Sequence, residues 1–293
     1  MNRYRHVLFA HALTLAVCAL LAQLAALPAL ASPDDVREEF HQTYPLQAGG
    51  RVELENINGA VHITAWDRNE VKVDAVKTAS SKEKIDDARI EVDATAGRVS
   101  IRTKYPEHNL TFTDHGRRNP ASVEYTLTVP RGANLDEISL INGDLEISGI
   151  SGKVKSSCIN GKTIASNLSG AAHLSGVNGR VQAAFEFIQH SIEMESVNGR
   201  VEIVLPSDTN ALIEAETVSG SISNEIGLLS TGHIVGHNLR GQLGSGGPRI
   251  KLSTVNGSID IRRASDGRTP TPVKDMKRDS DDKDDDKDDD DRD

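Results

Sequence analysis

The sequence predicts an all-β fold, a single elongated β-solenoid resembling a β-helix, with coils of about 18–21 residues. A β-rich N-terminal module with one short helix precedes these coils. The first supporting observation is that Asn-Gly pairs recur after 18, 18 and 20 residues in the middle of the chain. The second is that apolar and polar side chains alternate around each pair, as in strands with one buried face. A repeat of this length indicates stacked coils.

The predicted turns define the repeat, because Asn and Gly tolerate the positive φ angles of a tight turn. The turn residues are Asn142, Gly143, Asn160, Gly161, Asn178, Gly179, Asn198, Gly199, Ser219, Gly220, Asn256 and Gly257. The step from Gly220 to Gly257 is 37 residues, which we interpret as two periods. Asn-Gly also favours hairpins, so a series of hairpins is the alternative. The constant register favours the solenoid, in which equivalent Asn amides can form a ladder.

The positions after each Gly separate buried from exposed side chains. The second position is mostly apolar and predicted to face inward: Leu145, Thr163, Val181, Val201, Ile222 and Ile259. The first position is polar and predicted to face outward. Lys162, Arg180 and Arg200 share this outward position and form a candidate interaction face. Exposed charges in such rows are more often solvated than functional.

The first 31 residues are predicted to be a signal peptide. Arg3 and Arg5 precede a long apolar stretch, and Ala29-Leu30-Ala31 fits a small-residue cleavage site. A retained membrane anchor is the alternative. Cleavage would leave no transmembrane segment in the mature chain, and would place it in the periplasm, at the cell surface or outside the cell.

The remaining chain divides into four predicted regions. Residues 32–50 form a polar leading segment, and residues 51–135 form the β-rich module, with a short helix beginning near Ser81. Residues 136–263 form the solenoid repeats. Residues 264–293 form a linker and an Asp-rich tail, which we expect to be disordered because residues 273–293 contain 12 Asp but few apolar residues.

Composition excludes some classes of partner. The formal net charge is −10, so we expect no binding to nucleic acid. Aromatic residues make up 3% of the chain, with Trp66 the only Trp, which disfavours a sugar-stacking surface. The predicted partner is an unidentified protein or glycan of the envelope or cell surface.

No pattern predicts a catalytic residue, a cofactor or a metal. Cys158 aligns with buried positions of neighbouring repeats and lacks the companion residues of a catalytic thiol. His233 and His237 have a helical ligand spacing, but the segment around them contains helix-breaking Gly residues. The Gly-rich residues 241–247 lack the Lys and Ser or Thr of a phosphate-binding loop.

The order of several motifs resembles the bacterial putative-adhesin family, a domain of unknown function in exported envelope proteins. The motifs are Trp66-Asp67, Val129-Pro130-x-Gly132, the repeated Asn-Gly turns, Gly241-x-x-Gly244-x-Gly246-Gly247-Pro248, and Thr254-Val255-Asn256-Gly257-Ser258-Ile259. The resemblance runs from about residue 51 to residue 263. It implies a β-solenoid and an envelope or surface role, and no catalytic residues.

The sequence therefore predicts a non-enzymatic, exported envelope protein whose solenoid is a structural or binding surface. One alternative is a periplasmic accessory component of an envelope-stress system. The other is a polysaccharide-active enzyme, because β-helices also carry paired carboxylates that cleave glycans.

Overall fold

The computed structural model describes residues 35–106, 120–232 and 236–276, and it contains 22 strands and one helix within them. The strands are β1 (Val36–Pro45), β2 (Arg51–Asn58), β3 (Val61–Trp66), β4 (Glu70–Ala79), β5 (Arg89–Thr95), β6 (Arg98–Lys104), β7 (Ser122–Pro130), β8 (Asn134–Asn142), β9 (Leu145–Ser148), β10 (Val154–Asn160), β11 (Thr163–Leu168), β12 (Ala172–Asn178), β13 (Val181–Phe185), β14 (Ile192–Asn198), β15 (Val201–Leu205), β16 (Ala211–Ser219), β17 (Ile222–Asn224), β18 (Ser230–Gly232), β19 (His237–Leu243), β20 (Arg249–Asn256), β21 (Ile259–Arg263) and β22 (Val273–Asp275). The helix α1 (Lys82–Asp87) begins after Ser81, whose hydroxyl accepts the N–H of Lys84.

The strands form two long sheets. Sheet A has the order β1-β4-β7-β3-β9-β11-β13-β15-β21-β17. Sheet B has the order β18-β19-β16-β20-β14-β12-β10-β8-β2-β6-β5, and β22 pairs with β19. A coil is one strand of sheet B followed by one strand of sheet A, and successive coils pair in parallel, as in β10 with β12 and β11 with β13. The predicted all-β solenoid is confirmed.

The order of the coils in space differs from their order in the sequence. The coil β20/β21 lies between β14/β15 and β16/β17, since β20 pairs with both β14 and β16. The 37-residue step that we interpreted as two periods is therefore one step back along the stack. The cause is β19, which pairs antiparallel with one edge of β16 and leaves the other edge open for β20.

The same exchange occurs at the other end. The coil β2/β3 lies between β6/β7 and β8/β9, because β2 pairs with β6 and β8 while β3 pairs with β7 and β9. The described strands of residues 51–135 and of residues 136–263 therefore belong to one stack. The polar leading segment contains β1, which pairs antiparallel with β4 over ten residues.

Residues 264–276 differ from the expected disordered linker, because individual contacts fix them to the stack. The Asp266 carboxylate accepts the Ser207 N–H at 3.0 Å, the Thr271 hydroxyl donates to the Thr209 carbonyl at 2.7 Å, and β22 pairs with β19. The Asp-rich remainder of the predicted tail, and the predicted signal peptide, lie outside the described residues.

The core lies between the two sheets. The inward position of sheet A stacks Leu145, Thr163, Val181, Val201 and Ile259 in register, and each is at most 1% exposed. Each coil buries the apolar face of its neighbour, which accounts for most of the stability of such a stack.

Antiparallel strands cover both ends of the stack. Strands β1, β4 and β5 do so at the N-terminal end, and β19, β18 and β22 do so on sheet B at the C-terminal end. These strands protect coil edges that would otherwise be open for pairing. Within residues 35–106, 120–232 and 236–276, no helix is long and apolar enough to span a membrane.

Candidate functional site

The turns between the two sheets form one edge of the solenoid, which we call the turn edge. Its Asn side chains make a continuous amide ladder, in which each Nδ2 donates to the Oδ1 of the neighbouring coil at 2.8–3.2 Å. In spatial order the ladder comprises Asn58, Asn142, Asn160, Asn178, Asn198 and Asn256. Ser219 is in register with Asn256 and ends the row without an amide. The ladder fixes the register of the coils.

The turn Gly residues stack beside this ladder with no room for a side chain. A Cβ atom on Gly161 would lie 2.1 Å from the carbonyl oxygen of Gly143, and one on Gly179 would lie 2.0 Å from that of Gly161. Gly161 and Gly179 also have φ angles of 148° and 149°. Close backbone approach and positive φ therefore both require Gly.

An aliphatic row runs along the outer face of sheet B, next to the ladder. It consists of the residue before each turn: Ile57, Ile141, Ile159, Val177, Val197, Val255 and Val218 in spatial order. The five most exposed members have 39–55% of their surface accessible. Strand alternation points these residues outward because the turn fixes the phase of each strand. A continuous exposed row of this kind is a feature of interaction surfaces.

The row ends in a concave region at the C-terminal end of the stack, with a cavity of about 660 Å³. The cavity is lined by Val177, Val197, Val218 and Val255 of the row, and by the carboxylates of Glu195 and Glu216. His237 of β19 lies at its far side. Sequence analysis missed this site. The sequence pattern that could have predicted it is a β-branched residue directly before each turn, at an outward-facing position of its strand.

The three residues of the predicted interaction face lie in register on neighbouring coils, because they directly precede β11, β13 and β15, which pair in parallel. Arg180 and Arg200 line a polar cavity of about 390 Å³ on the outer face of sheet A, together with Arg262. Lys162 lies outside it, with its Nζ 3.6 Å from Asp144 and 3.8 Å from Glu146.

Three carboxylates in the polar cavity balance its three guanidinium groups. Arg200 is 3.3 Å from Asp260, and Arg262 donates to Glu202 at 3.0 Å and is 3.7 Å from Glu225. Only 7% of the Glu202 side chain is exposed. Because the other charged residues of this cavity pair with one another, Arg180 is its one cation that forms no salt bridge among the described residues.

The single Cys of the described residues is buried in the core. Its thiol donates to the Gly143 carbonyl at 3.4 Å, and burial raises the pKa of Cys158. The thiol therefore stays protonated at neutral pH, which makes it a poor nucleophile. His237 begins the strand β19, and His233 lies outside the described residues. No group of three His, Cys, Asp or Glu in the described parts of the chain could hold a metal ion.

Glu195 and Glu216 are the two carboxylates that line the candidate cavity. They lie on β14 and β16, with β20 between them, so two strand spacings of about 10 Å in total separate their strands. A general acid needs burial or a close like charge to keep its proton at neutral pH. Glu216 is exposed and Glu195 is only half-buried on an open face.

Comparison with solved structures gives matches of low sequence identity. A putative cell adhesion protein from Clostridium sporogenes is 14% identical with a TM-score of 0.44, covering 78% of this chain and 100% of that one. A putative adhesin from Bacteroides fragilis is 15% identical with a TM-score of 0.30, covering 78% and 97%. A putative lipid binding protein from Parabacteroides distasonis is 11% identical with a TM-score of 0.22, covering 80% and 98%.

No curated protein matches the chain. A protein-family model, described as Toastrack DUF4097, matches residues 52–262. This range begins at β2 and ends in β21, so it comprises the whole stack of coils. It confirms the family resemblance inferred from the motifs. The chain belongs to the Toastrack DUF4097 family.

Proposed function

We propose that this protein is exported to the cell envelope or cell surface and acts there, without catalysing a reaction, as a binding surface built on a β-solenoid. The observation that carries the proposal is the aliphatic row, which places outward β-branched side chains on seven consecutive coils next to a rigid ladder and exposes five of them. A rigid scaffold holds such side chains in fixed positions, which lowers the entropy cost of binding.

Export is supported by the charge and hydropathy pattern of residues 1–31. Mass spectrometry of the protein from periplasmic or secreted fractions is expected to give an N-terminus at Ser32. An intact Met1 form embedded in the membrane would contradict export by cleavage.

Binding is tested by retention of envelope components on immobilised protein. A variant with Ser at the five most exposed positions of the aliphatic row, Ile141, Ile159, Val197, Val218 and Val255, is expected to lose retention. Its fold is expected to survive, because the substituted side chains face solvent. Treating the fractions with protease or with glycan-degrading enzymes separates a protein partner from a glycan partner.

A matched control carries Ile164→Ser and Val204→Ser, which replace half-buried outward aliphatic residues on sheet A. The control is expected to retain the same components as the unmodified protein. Equal loss in the control and the row variant would contradict the assignment of binding to the aliphatic row. Polysaccharide turnover that disappears in Glu195→Gln or Glu216→Gln would instead favour the enzymatic alternative.

The charged face of sheet A gives a second, narrower prediction. Arg180→Gln combined with Arg200→Gln is expected to weaken binding to an acidic envelope partner, more at low salt than at high salt. The internal ion pair of Arg200 with Asp260 makes us expect a smaller effect than in the row variant.

A further inference from the structure

The two halves of the aliphatic row have different neighbours on the outer face of sheet B. Beside Ile141 and Ile159, the adjacent outward residues two positions earlier are Ser139 and Ser157. Beside Val197 and Val218, the equivalent residues are Glu195 and Glu216, with the carboxylates lining the cavity. At the C-terminal end the valines therefore lie beside Glu195 and Glu216, with Ser253 of β20 between the two carboxylates. The carboxylate at the other end of the row, Glu55 beside Ile57, is paired with Arg102 at 3.1 Å.

We propose that this concave end binds an extended polypeptide segment in which aliphatic residues alternate with lysine or arginine. The inference rests on the proposed function, and adds the class of partner and the part of the row that binds it. The valines and the two carboxylates match the two sides of an extended segment, since successive side chains point in opposite directions. Aliphatic side chains would contact the valines, and cationic side chains would reach Glu195 and Glu216.

The length of the cavity fits a short segment. Its lining comes from β12, β14, β20, β16 and β19, which are five neighbouring strands of sheet B. Four strand spacings correspond to about 19 Å. An extended chain of six residues spans about 20 Å. A segment lying along the solenoid axis would therefore contact all five strands.

Glu195 and Glu216 differ from the neighbouring carboxylates in how their charges are paired. Glu193 binds Lys251 at 2.9 Å, and Glu214 is paired with Arg240. Glu195 and Glu216 have no salt bridge in the parts of the chain that the structure describes. Lys251 also interacts electrostatically with both, but its ammonium is bound to Glu193. The four carboxylates of this face thus face two cations, and a cationic side chain in the cavity would reduce the excess negative charge. An acidic segment or an anionic membrane surface would instead meet two carboxylates on a chain with a net charge of −10.

The shape and composition of the cavity argue against a glycan. Its lining has no Trp, Tyr or Phe that could stack on a sugar ring, among the residues that the structure describes. Four valines form an apolar strip, and the polar groups lie to one side of it. This separation suits the two faces of a peptide.

The test uses the full mature chain and three synthetic hexapeptides, followed by NMR titration of backbone amides. The first peptide alternates valine and lysine, the second valine and glutamate, and the third serine and lysine. Only the valine–lysine peptide is expected to shift the amides of Val197, Val218 and Val255. Its affinity is expected to fall about fivefold or more in Val197→Ser with Val218→Ser, because apolar contacts are removed.

Glu195→Gln with Glu216→Gln is expected to weaken the valine–lysine peptide about fivefold at low salt and less than twofold in 0.5 M salt, because salt screens exposed charges. The matched control is Ile141→Ser with Ile159→Ser, which changes the other half of the row and should leave the affinity within twofold. Both Val and Glu side chains are outward, and unchanged unfolding midpoints verify that the variants fold.

Three results would overturn the proposal. They are equal binding of the valine–glutamate peptide, shifts centred on Ile141 and Ile159, and absence of any peptide binding. If the protein instead forms a dimer that dissociates in the Val197→Ser and Val218→Ser variant, the occupant is a second copy and the proposal is wrong. If no peptide binds, but the unmodified protein retains envelope components that the row variant does not retain, only this class of partner is rejected. If the unmodified protein retains no envelope components either, the proposed function is also rejected.

Discussion

The two edges of the solenoid are built in different ways. At the turn edge, the seven coils from β2/β3 to β16/β17 use an Asn-Gly or Ser-Gly turn. The turn Gly N–H of six of them donates to the carbonyl of the neighbouring turn, as from Gly143 to Asn160 at 3.0 Å. At the opposite edge, the connections have five residues (149–153), three (169–171), six (186–191) and five (206–210). Gly152 and Gly170 stack closely there, since a Cβ atom on them would lie 2.1 and 2.0 Å from the neighbouring backbone, but the lengths of the connections differ. A constant connection length is required only where one side chain must meet its equivalent above and below.

The largest expected effect comes from inserting one residue into a connection between strands, at the turn edge or at the opposite edge. A Gly inserted between Gly161 and Lys162 reverses the inward and outward residues of β11 unless the strand slips in register. We expect this insertion to cost about 4 kcal/mol or more of unfolding free energy. A Gly inserted between Gln189 and His190 is expected to cost less than about 1 kcal/mol, because the longer loop adds little closure entropy.

Urea unfolding of the two insertion variants measures this difference. Equal losses of stability would show that the opposite edge is as constrained as the turn edge, which would contradict the comparison.

A Cβ atom at the turn edge tests the close stacking of the Gly residues. In Gly161→Ala, the new methyl group would lie 2.1 Å from the Gly143 carbonyl oxygen, at a φ of 148°. We expect a loss of about 3 kcal/mol. The control is Gly132→Ala at the opposite edge, where the added atom meets nothing within 4 Å. Thermal unfolding of both variants is the measurement, and a Gly132 variant as unstable as the Gly161 variant would refute the explanation.

The amide ladder gives a smaller effect with an internal control. Asn160→Ala removes the bond donated to Asn142 and the bond accepted from Asn178, so we expect a loss of about 2 kcal/mol. Asn256 makes one ladder bond, to Asn198 at 3.0 Å, so Asn256→Ala is expected to lose about half as much. Chemical denaturation compares the two, and a larger loss at Asn256 would contradict the ladder account.

The smallest effect concerns pH, to which the neutral amides of the ladder are insensitive in the acid range. At the opposite edge, the backbone N–H of Ser207 lowers the pKa of Asp266 from 3.8 to about 2. Because the pKa of Asp266 is lower in the folded state, its carboxylate stabilises the folded protein above about pH 4. This stabilisation is lost as the pH falls towards 2. Hydrogen exchange is expected to show the Ser207 N–H opening over that range while the Gly161 N–H stays protected.

Asp266→Asn is the control for the pH experiment. The variant is expected to lose most of the acid-dependent opening at Ser207, because its side chain does not titrate. Persistence of the same pH dependence in the variant would assign the opening to another group.

Much of the coil architecture could be predicted from the sequence. The Asn-Gly spacing located the turns, and the alternation around them assigned the inward stack that contains Val181 and Val201, because strand periodicity follows directly from backbone geometry. The short helix after Ser81 followed from its capping pattern. These features depend on local physics, which the sequence expresses within a few residues.

The order of the coils could not be predicted. Strands β16 and β20 present equivalent inward residues, Ile213 and Ile250, so either could follow β14 by pattern alone. The antiparallel pairing of β19 with β16 decides between them, and that pairing depends on contacts distant in sequence. The candidate site did not depend on this order, because every member of the aliphatic row precedes a turn in the sequence. The exchange decides only that Val255 lies between Val197 and Val218.

The exchanged coil order has a consequence for how the chain reaches its native state. During vectorial synthesis or translocation, the segment containing Ser219 emerges before the segment containing Asn256, which must pair with β14 across 58 residues. Ser219 is therefore the first competitor for the open edge at Asn198, and its hydroxyl cannot reproduce an amide-to-amide bond. Asn256 can. The side chain at this turn thus disfavours direct stacking of β16/β17 on β14/β15. The last coil to emerge, β20/β21, instead inserts between them, and the long-range contacts that it makes slow folding.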